Sequence, residues 1–169
     1  MNWRSILSLS AVTALGLALP LGSAVAQQKT LKEQVVGTWS FVSSTSKLAD
    51  GSPTWGTNPR GLQVYAENGS FSSIVTRSDL PKFASNNRQR GTPDENQAVV
   101  VGTNSRFGTY LVNEANRTVT IRIEGSSYPN EEGTETTRPI TITGDELRYT
   151  DPAPTVGGPP TQVVWRRGK

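Results

Sequence analysis

The stretch VVGTWSFVSS (residues 35–44) places Trp39 two residues after Gly37, at the start of the first predicted strand. A β-barrel of eight strands has an open end that must be covered. A large aromatic side chain at the beginning of the first strand can cover it, and a glycine beside it lets the chain cross the barrel floor closely. We therefore interpret this stretch as the beginning of a closed β-barrel.

The last predicted strand offers a basic partner for this tryptophan. The run VVWRR (residues 163–167) includes Arg166. A guanidinium that lies across an indole face makes a cation–π contact, which contributes about 0.5–2 kcal/mol. We predict that Gly37, Trp39 and Arg166 join the two ends of the chain and close the barrel, a structural role rather than a role in binding.

Short runs of β-type residues, separated by turn residues, recur along the chain. This pattern is typical of an all-β sandwich or barrel. Gly144 and Asp145 form a predicted two-residue hairpin turn between the sixth and seventh strands. Eight strands are predicted, at residues 37–47, 61–66, 70–77, 106–113, 118–125, 135–143, 146–150 and 161–167.

One short helix is predicted between the third and fourth strands. Thr92 can cap its start, Pro93 suits the first helical position, and Glu95 completes a capping box. The helix is expected to stop at Gly102. The polar loop before it, residues 79–91, is either a lid over a binding site or a solvated connection. A second short helix, at residues 31–35, is expected to plug one end of the barrel.

Several motifs accompany the Gly-x-Trp pattern. Gly-x-Trp on the first strand, with a basic residue on the last, resembles the lipocalin signature. The segments NPRGLQVYAENGSFS (58–72), FGTY (107–110) and TVTIRIEGSSYPNEEGTE (118–135) are similar to the bacterial lipocalin-like domain family. The resemblance implies an eight-stranded antiparallel up-and-down barrel with a central cavity, and it carries over no ligand and no catalytic residue. Relatives often have histidine on the strand after FGTY, where this chain has Arg122.

Residues 1–26 have the pattern of a secretory signal peptide. Arg4 precedes an apolar run at residues 6–19, Pro20 interrupts it, and Ala24-Val25-Ala26 is an A-x-A cleavage site. We predict cleavage after Ala26, which leaves residues 27–169 as a periplasmic or secreted lipocalin-like β-barrel domain without a membrane span. The alternative is an uncleaved membrane anchor.

The composition excludes several classes of chemistry. The chain has no histidine and no cysteine, which removes Ser-His-Asp and Cys-His nucleophiles, thiol redox chemistry, and common zinc or copper sites. No glycine-rich phosphate loop is found, and a net charge of +3 is too small to indicate a nucleic-acid partner. We predict no cofactor, no metal and no nucleic acid. We interpret Glu131, Glu132 and Glu135 as a solvated acidic loop rather than a calcium site.

Hairpin geometry predicts which side chains face the interior. A type I turn followed by Gly69 in the left-handed region pairs Tyr65 with Phe71, whereas a two-residue Asn-Gly turn shifts the pairing by one residue. We favour the first, because it pairs two aromatic residues. The predicted cavity wall, with Arg77 and Arg106 toward the rim, consists of Trp39, Phe41, Tyr65, Phe71, Val75, Tyr110, Val112 and Ile121.

This wall contains a candidate ligand-binding site, formed by Tyr65, Phe71, Arg77, Arg106 and Tyr110. An apolar wall with arginines at its rim suits an amphipathic molecule with a polar or anionic end, because a buried guanidinium needs a partner. The alternative for each arginine is an ion pair with a carboxylate such as Asp79 or Asp94. The alternative for each tyrosine is ordinary core packing.

The leading hypothesis is an exported protein that binds a small hydrophobic or amphipathic molecule in a barrel cavity. Two alternatives stay open. A cofactor-free isomerase or cyclase would use the same cavity, and an inward carboxylate or tyrosine with a perturbed pKa would favour it. A structural envelope or assembly factor would have a filled barrel with no room for a ligand.

Overall fold

The structure is a computed structural model that describes residues 29–168. The predicted signal peptide, residues 1–26, lies outside the described residues, so its cleavage after Ala26 stays a prediction. Across residues 29–168, the helices are all too short or too polar to cross a membrane.

Eight antiparallel strands form a closed barrel in which every strand pairs with its neighbours along the chain and the last pairs with the first. The predicted fold class is confirmed. Two strand bounds differ from the prediction by three residues. The first strand ends at residue 44 rather than 47, and the fourth begins at residue 103 rather than 106. The strands are β1 Gly37–Ser44, β2 Arg60–Tyr65, β3 Ser70–Thr76, β4 Thr103–Asn113, β5 Thr118–Ser126, β6 Glu135–Thr143, β7 Glu146–Asp151 and β8 Thr161–Arg167.

The up-and-down topology gives the barrel two different ends. The tight turns at residues 66–69, 114–117 and 144–145 lie at one end, which we call the closed end. The longer connections lie at the opposite, open end, at residues 45–59, 77–102, 127–134 and 152–160.

Two helices accompany the barrel, α1 Leu31–Val35 at the closed end and α2 Pro93–Gly102 between β3 and β4. Each begins with a complete capping box, in which Thr30 or Thr92 caps the helix and a glutamate three residues later reaches back to the cap. The aliphatic side chains of Leu31 and Val35 are buried in the core, so α1 covers the closed end as expected.

Glu114, in the turn between β4 and β5, holds α1 in place. Its carboxylate accepts hydrogen bonds from the backbone N–H groups of Leu31, at 2.7 Å, and Lys32, at 2.8 Å. Glu114→Ala should therefore lower the free energy of unfolding by about 1 kcal/mol, as the loss of a helix cap does. Urea unfolding measures this, with Glu124→Ala on the exposed face of β5 as the control. Equal effects of the two substitutions would show that Glu114 does not anchor the helix.

The hairpin register agrees with the first of the two predicted turns. Tyr65 pairs with Phe71 and Gln63 pairs with Ser73. Gly69 has φ +88°, and its N–H donates to the carbonyl of Ala66 at 3.0 Å, as a type I turn with a glycine bulge requires. The next hairpin pairs Tyr110 with Ile121 and Val112 with Val119, also as predicted.

Aromatic side chains fill the closed half of the barrel. The ring of Tyr65 lies 4.9 Å from that of Tyr110 and 5.3 Å from that of Phe71, and the ring of Phe41 lies 5.0 Å from that of Trp165. All five side chains are buried. Of the other residues predicted for the wall, Trp39, Val75 and Ile121 are buried, and Val112 packs against the core while half-buried.

The basic residue that covers Trp39 is Arg167, and the prediction of Arg166 was wrong. The guanidinium carbon of Arg167 lies 4.2 Å from the centroid of the Trp39 ring, and the two residues are paired between β1 and β8. Successive side chains of a strand point to opposite faces. Because Trp165 points into the core, Arg166 points outward and is exposed, whereas Arg167 returns to the inner face.

Arg167 also connects α1 to the barrel. Its guanidinium donates to the carbonyl of Gln34 at 2.5 Å and to that of Val36 at 3.2 Å. A Cβ at residue 37 would lie 3.2 Å from the Arg167 side chain, and Gly37 has φ +130°, so glycine provides both the space and the backbone conformation. The indole N–H of Trp39 donates to the carbonyl of Val35 at 2.8 Å.

Candidate functional site

Two ion pairs face the interior at the open half of the barrel. Arg106 on β4 pairs with Glu131 at 2.7 Å, and Arg138 on β6 pairs with Asp151 at the end of β7, at 3.3 Å. The side chains of Arg106 and Glu131 are 15% and 11% exposed, and those of Arg138 and Asp151 are 7% and 19% exposed. Ion pairs this far from solvent are conspicuous, because removing charges from water is costly.

The strands and one short turn place these groups. Arg138 lies on the inward face of β6 with Ile140, and its guanidinium carbon sits 4.9 Å from the centroid of the Tyr149 ring. Glu131 ends a single 3-10 turn, Pro129–Glu131, in the connection from β5 to β6. The second carboxylate oxygen of Glu131 accepts a hydrogen bond from the hydroxyl of Ser126 at 2.8 Å, which fixes its orientation.

A cavity of about 490 Å³ opens between these ion pairs, and we call it the mouth cavity. All four ion-pair side chains line it, together with the aliphatic residues Ile121 and Ile123. The rest of its wall comes from the connections at the open end and from the start of β6, namely Tyr128, Asn130, Thr134, Glu135, Thr136, Thr137, Pro152, Ala153 and Thr155.

A second, much smaller space lies beside it, and we call it the inner cavity. Its volume is about 60 Å³, and Phe41, Val75 and Trp165 form part of its wall. Arg106 and Asp151 line both cavities, so they form part of the boundary between them. The inner cavity has room for a few water molecules only.

Some buried donor groups near the cavities lack a hydrogen-bond partner among the described residues. Three buried nitrogen atoms have no hydrogen-bond partner within residues 29–168, namely Gln63 Nε2, Arg106 Nε and Arg138 Nε. Gln63 is 1% exposed, and it pairs across β2 and β3 with Ser73, which lines the inner cavity. An unpaired buried donor is costly. These three atoms are fully enclosed, so the donors that face a molecule in the mouth cavity are the terminal Nη atoms of Arg106 and Arg138.

The predicted aromatic site residues lie deeper than the two cavities. Tyr65, Phe71 and Tyr110 pack against one another in the closed half and line neither cavity. The hydroxyl of Tyr110 donates to the carbonyl of Ala66 at 2.8 Å. Burial raises the pKa of Tyr65 well above its usual value, so its hydroxyl stays protonated. These contacts correspond to the alternative interpretation, core packing.

The two predicted arginines are not brought together. Arg106 lines the mouth cavity, whereas Arg77 follows β3 at the open end and does not line this cavity; Asp79 accepts two hydrogen bonds from it, at 2.8 Å and 2.7 Å. Arg77, Asp79 and Asp94 border a separate surface pocket against α2. Residues 79–91 contribute no side chain to the mouth cavity.

Sequence reasoning missed three of the four ion-pair residues. Glu131 was interpreted as part of a solvated acidic loop, but it is only 9% exposed, because its carboxylate pairs with Arg106 of β4 inside the barrel. Among residues 29–168, no three acidic side chains are grouped as they would be around a cation. A sequence signal existed for the other two residues, because alternate residues of a strand face the same side. Arg138 lies two residues before the buried Ile140 on β6, and Asp151 lies two residues after the buried Tyr149 on β7. This spacing predicts that both side chains point inward.

A family model described as a lipocalin-like domain matches residues 36–167. The chain belongs to this family. The match includes all eight strands of the lipocalin-like barrel and every residue of the two inward ion pairs. No curated protein matches the chain. Small eight-stranded barrels of the lipocalin type have an interior wide enough to hold one small ligand.

The chemistry available in the mouth of this lipocalin-like barrel is recognition of a polar group. Both inward carboxylates are engaged with arginine, so neither is a free general base in this arrangement. The guanidinium groups supply fixed hydrogen-bond donors, and Ile121 and Ile123 supply an apolar surface.

Proposed function

We propose that this protein is an exported binding protein that holds a small hydrophobic or amphipathic molecule in the mouth cavity of its lipocalin-like barrel. The observation that carries the proposal is the mouth cavity itself, whose volume of about 490 Å³ falls within the range of small-molecule sites, roughly 300–1,000 Å³. Export is supported by the signal-peptide pattern of residues 1–26.

The lining of the mouth cavity supports an amphipathic ligand. Ile121 and Ile123 offer a surface for an apolar body, while Arg106 and Arg138 offer hydrogen-bond donors for a polar end. Ligand sites commonly combine apolar walls with a few polar groups that fix the orientation of the ligand.

The filled closed half limits the length of the ligand. Trp39, Tyr65 and Trp165 are each no more than 1% exposed, so a molecule that enters from the open end stops above them. The proposed ligand is therefore short, and it occupies the open half rather than the whole length of the barrel.

A large side chain placed in the mouth cavity should weaken ligand binding strongly. Thr136 lines this cavity, whereas Thr141 is exposed on the outer face of the same strand. Thr136→Trp should weaken binding of the neutral dye Nile red at least about tenfold, because the indole occupies the ligand's space. Thr141→Trp should leave the affinity unchanged. Fluorescence titration measures both affinities, and circular dichroism shows that both variants fold.

Native mass spectrometry of protein purified from its own host tests the same proposal with the natural ligand. The spectra of the unaltered protein and of Thr141→Trp should show the added mass of a bound small molecule. The spectrum of Thr136→Trp should not show it. Equal dye affinity and equal retained mass in both variants would place the ligand outside the mouth cavity and overturn the proposal.

A further inference from the structure

The charges that line the mouth cavity are already balanced. Arg106 faces Glu131 at 2.7 Å and Arg138 faces Asp151 at 3.3 Å, so the four buried groups sum to zero. The remaining ionisable carboxylate on the lining, that of Glu135, is exposed and adds negative charge at the edge. Among residues 29–168, the lining therefore has no positive charge left to neutralise an anion.

The hydrogen-bonding capacity of these groups is not balanced. One oxygen of Glu131 accepts from Arg106 and the other from Ser126, so both of its oxygens are engaged. Each guanidinium carries five N–H donors, yet Arg106 donates only through Nη1 and Arg138 only through Nη2. Arg106 Nη2 and Arg138 Nη1 therefore have no hydrogen-bond partner within residues 29–168 and are the donors that a molecule in the cavity can reach, whereas the unpartnered Nε atoms are fully enclosed.

We propose that the mouth cavity binds an uncharged molecule that presents a hydrogen-bond acceptor, such as the carbonyl oxygen of an amide, ester or ketone, at the end of a short apolar chain. This inference rests on the proposed function and specifies its ligand class. A neutral acceptor satisfies the spare N–H donors and brings no charge into a poorly solvated site.

The same arrangement disfavours both kinds of ion. A carboxylate brings an uncompensated negative charge close to Glu131 and Asp151, and burial of an unpaired charge is costly. An ammonium group has three donors and no acceptor, so it can donate to Oδ2 of Asp151, which is unengaged within residues 29–168, but it leaves the spare N–H groups of both arginines unsatisfied. The resulting order of affinity is neutral acceptor first, and both ions well below it.

Three probes with the same carbon chain test this order, namely N,N-dimethyloctanamide, octanoate and octylammonium at pH 7. Isothermal titration calorimetry should give the amide at least about tenfold higher affinity than either ion. Octanoate that binds as tightly as the amide, or more tightly, overturns the ligand class and leaves the proposed function standing. Absence of binding by all three probes and by Nile red overturns both.

Removal of one carboxylate charge should reverse the discrimination. Glu131→Gln leaves the four ion-pair positions with a net charge of +1, so the ratio of octanoate affinity to amide affinity should rise at least about tenfold. Asp151→Asn should act in the same direction, which keeps the test available if one variant folds poorly. Asp79→Asn is the matched control, because it frees Arg77 outside the cavity and should change neither affinity. An unchanged amide-to-octanoate ratio in both cavity variants overturns the inference.

Discussion

Arg167→Ala should lower the free energy of unfolding by about 3 kcal/mol, whereas Arg166→Ala should change it by less than about 0.5 kcal/mol. Arg167 stacks on Trp39 and donates to the carbonyls of Gln34 and Val36, so its removal loses a cation–π contact and two charge-assisted hydrogen bonds. Arg166 is exposed and has none of these contacts. The two residues are adjacent and chemically identical, so each serves as the control for the other.

Urea unfolding followed by tryptophan fluorescence measures this difference. The linear extrapolation gives the free energy in water for each variant, provided that the slopes agree. Equal destabilisation by the two substitutions, or a larger effect of Arg166→Ala, would contradict the assignment of Arg167 as the residue that closes the barrel.

Arg138→Ala should lower the free energy of unfolding by about 3 kcal/mol, the lower end of the range for a buried ion pair, since Asp151 keeps some contact with solvent. The substitution leaves a carboxylate in the barrel without its partner. The control is Arg148→Ala, which breaks the exposed pair between Arg148 and Glu146 on β7 and should cost less than about 1 kcal/mol. Equal effects of the two substitutions would show that the Asp151 carboxylate is not stabilised by Arg138.

A double variant separates stability from binding. Apolar replacement of a whole buried ion pair is often neutral or stabilising, so Arg138→Met with Asp151→Leu should recover most of the stability that Arg138→Ala loses. The double variant should nevertheless bind N,N-dimethyloctanamide at least about tenfold more weakly, because a guanidinium donor is gone. Full stability with unchanged amide affinity would show that this ion pair has no part in binding.

The barrel and its hairpin registers were predictable from local signals. The aromatic pair Tyr65 and Phe71 on either side of the turn at residues 66–69 favours one register, and the structure has that register. The choice between the two arginines was not predictable in the same way. The three residues before the arginines, Val163, Val164 and Trp165, are all apolar and all buried. The sequence therefore shows no alternation of polar and apolar residues from which the inward arginine could be identified. A register shift opposite this run, between Phe41 and Ser43, accompanies the irregular burial.

The binding site was less predictable than the fold, because its parts come from distant positions. Arg106 and Glu131 are separated by a hairpin and a connection, and nothing near Glu131 in the sequence shows that it turns inward. The acidic neighbours Glu132 and Glu135 are exposed, as expected for a solvated loop. Arg138 and Asp151 each lie two residues from an apolar residue on the same face of their strand. This pattern shows that they point inward only once the closed barrel defines which face is the interior.

The outer surface of the barrel carries its own apolar side chains, which are an alternative place for a hydrophobic probe. Leu62, Ile74 and Phe107 are 43%, 43% and 57% exposed and line a shallow surface pocket on the outer face of the sheet. Isoleucine residues therefore lie at both places, Ile121 and Ile123 in the mouth cavity and Ile74 outside.

Methyl NMR of isoleucine-labelled protein, titrated with N,N-dimethyloctanamide, tests the central claim most directly. Binding in the mouth cavity predicts saturable shifts of the Ile121 and Ile123 methyl resonances, with Ile74 and the deeper Ile140 unchanged. Saturable shifts of Ile74 alone, or no saturable shift at any isoleucine, would contradict a ligand site inside the open half of this barrel.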